Sequence, residues 1–198
     1  MALLAELETF NGLPAHPFIV HLPVVMIPLA FLGAIVALAR PSWRSWATPV
    51  TAVFALVGTL GVQLAIMSGE GLEEIVDEET AAIEHHAQLA EQARPLVVLF
   101  LLVVAAAAVA VYLAHRDPDG SQPRTALARK AIVPLLALGV LTGGLSTVWV
   151  YRTGHTGAES VWEGEGGEGG GEGTTVGADN DRDGDQPAAT VDHDSDGD

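Results

Sequence analysis

Four long apolar runs, none containing Asp, Glu, Lys or Arg, decide what this chain can become: Pro17–Ala39, Ala47–Ser68, Pro95–Ala114 and Ala131–Tyr151. A helix needs about 20 predominantly apolar residues to cross a bilayer core. Each run meets that length, and each ends at charge or glycine: Arg40-Pro41, Gly69-Glu70-Gly71, His115-Arg116 and Arg152. The fold class that follows is all-α, an integral membrane four-helix bundle with the lipid bilayer as its solvent. The first run is a span and not a secretory signal, because Glu6 and Glu8 precede it and no basic n-region or small-residue cleavage pattern is present. Residues 2–10 read as a short amphipathic helix at the interface.

Pro23, Pro28, Pro49 and Pro134 lie inside the runs. Membrane helices tolerate such prolines because neighbours re-satisfy the freed backbone groups. Gly139-x-x-x-Gly143 reads either as a close-contact motif between helices or as the ordinary glycine content of membrane helices.

A net charge of -16 sits beside 49% hydrophobic residues. The two agree only because they are segregated. Residues 163–198 are almost purely Gly, Asp, Glu and small polar residues, with little to bury, and read as a disordered acidic tail after a four-span domain over 1–162. Asp179-Asn180-Asp181-Arg182-Asp183-Gly184 opens like a calcium loop, but Thr190 stands where an EF-hand needs a glutamate. The tail is read as solvated. With no cysteine, disulfides, thiol nucleophiles and Cys-based metal sites are excluded. Net acidity excludes nucleic-acid binding, which needs a basic surface. Lys130 is the sole lysine beside eight arginines, a composition that suits a salt-loving (halophilic) prokaryote.

Loop charges predict the orientation. Arg40 and Arg44 follow the first span; Arg116, Arg124, Arg129 and Lys130 follow the third. The segment between spans two and three carries eight acidic residues and, before Arg94, no basic one. The positive-inside rule then puts both basic loops in the cytoplasm and both termini outside, in the cell membrane. Trp43 and Trp46 at the inner side, and Trp149 and Tyr151 at the outer, fit aromatic belts at those depths.

On this topology five histidines gather at the outer face: His16, His21, His85, His86 and His155. Ionisable groups near a membrane core are costly and mark functional sites. Residues 70–93 read as an extramembrane amphipathic helix, with Leu72, Ile75, Val76, Ile83, Ala87 and Ala90 on one face. His86 shares that face and His85 does not. Glu79 points the same way and either fixes an imidazole tautomer or reaches water at the helix edge. His21, one turn deeper than His16 in an apolar run, is the leading functional candidate.

Two ligands suit such a cluster. Haem b can be clamped axially by imidazoles from different helices of a bundle, His21 with His86 or His155. Arg94 and Arg152 are placed to pair with its propionates. Alternatively His21, His86 and His155 hold a copper or zinc ion. The role would be electron transfer with a quinone or an external redox partner. The competing reading is a cofactor-free structural or accessory subunit whose histidines only bond between helices. A transporter is disfavoured by the uncharged spans and the lack of a visible inverted repeat. No nucleophile–base pair, H-E-x-x-H, P-loop or dinucleotide fingerprint is present, so an enzyme acting by itself is not indicated. A homo-oligomer stays open.

At His16-Pro17-Phe18-Ile19-Val20-His21-Leu22-Pro23, and at Gly154-His155-Thr156-Gly157-Ala158, the chain resembles domain-of-unknown-function family 2231. These are four-span prokaryotic membrane proteins with H-P-x-x-V-H-F-P near the first span and G-H-x-G after the last. The resemblance covers about residues 10–162. Leu22 replaces the usual Phe, and Ser160-Val161-Trp162 replaces a Val-Tyr ending. It implies a four-span fold with His16, His21 and His155 as site residues, and relatives that look redox-associated.

Overall fold

The computed structural model describes residues 9–10, 13–73, 81–117, 119 and 121–166. Strand β1 (Thr9–Phe10) pairs antiparallel with β2 (Leu13–Pro14). Helix α1 (His16–Ile19) runs through Val20 into α2 (His21–Ala39), the Val20 N–H donating to the His16 carbonyl at 3.1 Å. A 3₁₀ turn (Pro41–Trp43) leads to α3 (Arg44–Glu73), followed by α4 (Ala81–Arg116) and α5 (Pro123–Gly166). Four of these rods are long and apolar enough to cross a membrane. Pro28, Pro49, Pro95 and Pro134 all lie within continuous helix.

Three expectations meet different outcomes at the ends. Thr9 and Phe10 are in a β ladder and not in an interfacial helix; residues 1–8 lie outside the described residues. The segment 70–93 is not one separate element: residues 70–73 finish α3, and 81–93 open the same helix that spans. Glu79 lies outside the described residues. Helix α5 continues to Gly166, past the expected domain boundary, and the rest of the acidic tail also lies outside them.

The helices form a closed ring, α2–α3–α4–α5 and back to α2, with α1 against α3. Buried positions advance in steps of three and four. They are Pro23, Ile27, Ala30, Ala34 and Ala37 on α2, and Ala93, Val97, Phe100, Val104 and Ala107 on α4. On α5 they are Leu136, Gly139, Gly143, Ser146 and Val150. A repeat averaging 3.5 residues is the signature of a left-handed bundle seam. The seam forms three layers: Ile27 with Val62, Ile66, Val97 and Val150; Ala30 and Ala34 with Ala55, Phe100 and Val104; Ala37 with Ala47, Ala107 and Leu136.

Lipid is as apolar as leucine, so membrane helices associate by close packing and not by hydrophobic exclusion. Small residues supply that closeness here. A Cβ at Gly143 would stand 2.8 Å from the fully buried Phe100 ring, one at Gly58 would stand 2.6 Å from Ile27, and one at Gly61 would stand 2.8 Å from Pro23. The Gly139/Gly143 pair is thus a contact surface against α4. Leu32, Leu60, Leu102 and Leu141 project outward from the four rods, where acyl chains solvate them.

One end of the bundle is basic. There Arg44 donates to the carbonyls of Ala37 and Leu38 at 3.0 and 3.3 Å, closing the end of α2. Asp117 accepts from the Ser121 and Gln122 N–H groups at 3.3 and 3.1 Å and organises the approach to α5. The Gln122 N–H is the main reason its carboxyl titrates below the ordinary carboxylate range. That contribution is present above the unfolded pKa and is lost as pH falls through the lowered folded one.

Gly143→Ala should lower the melting temperature in detergent, since its methyl must displace Phe100; overpacking costs about 1–3 kcal/mol. Gly144→Ala is the control, because its Cβ would meet Phe31 at an ordinary 3.4 Å. Equal melting temperatures would contradict this packing. Asp117→Ala should speed amide exchange at Ser121 and Gln122 at neutral pH, and leave rates in the central helices unchanged.

Candidate functional site

At the other end the seam continues past its last apolar layer. One step of four back from Val20 is His16, and one step of four back from Ala90 is His86. Across the bundle the same level is filled by Ser68 and Gly69 of α3 and by Thr153 and Gly157 of α5. Both imidazoles are half-buried. Their ring centroids are 6.4 Å apart with planes at 86°.

Glycine makes room for each ring. A Cβ at Gly157 would come within 2.8 Å of His86 Cε1, and one at Gly69 within 3.3 Å of His16 Cε1. Below the pair lies a cavity of about 70 Å³, lined by both histidines and by residues of every spanning helix, including Val20, Pro23, Ala65, Ala93 and Gly154.

The hydrogen bonds fix the tautomers. Ser68 Oγ donates its single proton to the Ala65 carbonyl at 3.0 Å, so it accepts from His16 Nδ1–H at 2.9 Å. His86 Nδ1–H donates to the Thr153 carbonyl at 2.9 Å, with Thr156 Oγ1 at 3.3 Å. A neutral imidazole protonated at Nδ1 carries a bare lone pair at Nε2. The hydrogen bonds of both rings run through Nδ1, with the Ala65 carbonyl as a further acceptor beside His16. Two imidazoles from different helices thus line one small apolar cavity. An imidazole whose second nitrogen is tied to a carbonyl or hydroxyl is the usual form of a metal ligand.

The structure brings together His16 and His86, and not the pair expected from depth in the run. His21 is exposed, and its Nδ1–H bonds the Pro17 carbonyl of its own helix turn. Five residues along a helix is a rotation of about 500°, which carries His21 some 140° away from His16. His155 is exposed, stacked on Tyr151 at 6.1 Å and 3.3 Å from Glu159. His85 is exposed and His86 half-buried, in the phase the periodicity predicts. Arg94 pairs with Glu91 at 3.1 Å, and Arg152 lies over Trp149. Among the described residues no three His, Asp or Glu are grouped to hold a metal ion, so His21, His86 and His155 do not converge.

The residues missed from sequence are Ser68, Gly69, Thr153, Thr156 and Gly157. The seam's spacing carried their signal, since Gly143, Ser146, Val150, Thr153 and Gly157 are successive steps of it. In both quoted motifs the residues facing the site are the neighbours of the conspicuous histidines: His16 and Val20 in the first, Gly154 and Gly157 in the second.

A ring of four apolar helices with a histidine pair at one end defines a four-span membrane protein. The chain matches the model of the family described as predicted membrane protein (DUF2231) over residues 12–169, and it belongs to that family. No curated protein and no solved structure matches it.

Ser68→Ala should release His16 from its Nδ1–H form. Long-range ¹⁵N–¹H spectra of histidine-labelled protein should then show one histidine reverting to the Nε2–H tautomer. No change in that spectrum would contradict the assignment.

Proposed function

We propose that this protein holds a metal centre between His16 and His86, bound through the two Nε2 atoms. The observation that carries the reading is the pair of imidazoles on two helices, each bonded through Nδ1, beside one apolar cavity. Haem b is one form of it, with the imidazoles as axial ligands and electron transfer to a quinone or external redox partner as the role. The ring spacing suits that form. The room does not: organic cofactors occupy pockets of about 300–1,000 Å³, against about 70 Å³ here. Arg94 and Arg152, each engaged on its own helix, supply no convergent pair for propionates.

A cofactor-free structural role is the second reading, favoured by one fact. The Nδ1 bonds already staple α1 to α3 and α4 to α5 with no ligand needed. The basic loops support a cell-membrane orientation with the histidine end outside. Alkaline phosphatase fused to the C-terminus should then be active; an inactive fusion overturns that orientation.

Protein purified in mild detergent from haem- and metal-replete cells should carry a stoichiometric metal, seen as a Soret band or by elemental analysis. His16→Ala and His86→Ala should each abolish it, while His21→Ala and His155→Ala should not. A colourless, metal-free preparation would leave only the structural role.

A further inference from the structure

Resting on that reading, we infer that the occupant is a single monovalent copper ion, bound in near-linear fashion by His16 Nε2 and His86 Nε2. The donor count argues first. Structural zinc takes four ligands, and calcium and magnesium take six or more oxygens. Cu(II) prefers a tetragonal set of nitrogen and oxygen donors. Among the described residues the site offers two imidazoles and no carboxylate. A closed-shell d¹⁰ cation of low charge is satisfied by two neutral donors, and it carries only one positive charge into an apolar site, where charge is costly to bury.

The distance argues next. Two imidazole nitrogens on opposite sides of an ion, each about 2 Å from it as in other metal–imidazole bonds, place the ring centres about 6 Å apart. The observed separation is 6.4 Å, with perpendicular ring planes that keep the ring edges from colliding. Volume argues third: about 70 Å³ is ample for a bare ion. Binding involves no change of oxidation state and no proton release, because both Nε2 atoms are already unprotonated.

The test is anaerobic titration of the full chain in detergent with Cu(I) against a chromophoric Cu(I) chelator. The expected result is one Cu(I) per chain, with affinity at least about tenfold weaker in His16→Ala and in His86→Ala and unchanged in His21→Ala. Ser68→Ala, which keeps both imidazoles and the packing, should weaken binding about 10–100-fold by loosening His16. X-ray absorption should show two nitrogen neighbours and no third ligand. Zn(II) binding tighter than Cu(I), or Cu(I) binding that survives loss of both histidines, would overturn the proposal. A Soret band lost with His16 and His86 would overturn copper and leave the bis-imidazole site standing. Absence of both Cu(I) and haem binding would overturn the two together.

Discussion

Close approach between helices is the constraint on which everything else here depends. In water, a bundle is driven together by the apolar surface it hides. In lipid that drive vanishes, and contact must come from how near the backbones can come. The chain meets this with alanine and glycine along a seam of steps of three and four. Ala30, Ala34 and Ala37 of α2 are fully buried, as are Ala55 of α3 and Ala107 of α4. The larger residues mostly face outward. Alanine and glycine bring the backbones close, and Ile27, Val97, Phe100 and Leu136 fill the space between them.

The histidine pair is produced by the same device. Gly69 and Gly157 admit imidazole rings as Gly143 admits Phe100. What changes at this level is the chemistry of the knob and not the geometry of the hole. Ser68, Thr153 and Thr156 supply acceptors at the point where the spans leave the hydrocarbon, so each ring enters with one nitrogen already satisfied. Arg44 and Asp117 do comparable work at the basic end, where carbonyls and amides near helix ends need partners.

The spans were legible because length and absence of charge are one-dimensional properties. The inward face was not, because a lipid-exposed helix is apolar on every side. Depth in the run singles out His21. Only the small-residue stripe, read as a register, shows that His16 shares a face with Val20 and Ile27 while His21 turns away. His86 was readable because its stretch of α4 is still amphipathic, with Glu84, His85 and Gln88 exposed around it. The glycines of the second motif were visible as letters, but the purpose of Gly157, space for a ring on the preceding helix, needed the third dimension. The haem reading suffered differently: imidazole count suggests it, while the small cavity and the separately engaged Arg94 and Arg152 argue against it.

His16 belongs to the first helical hairpin and His86 to the second. Neither hairpin carries both donors, and each ring is held by a partner within its own hairpin, Ser68 for one and the Thr153 carbonyl for the other. The two rings therefore meet only across the contact between the two hairpins. A ligand held by both rings, as proposed, would tie one half of the molecule to the other.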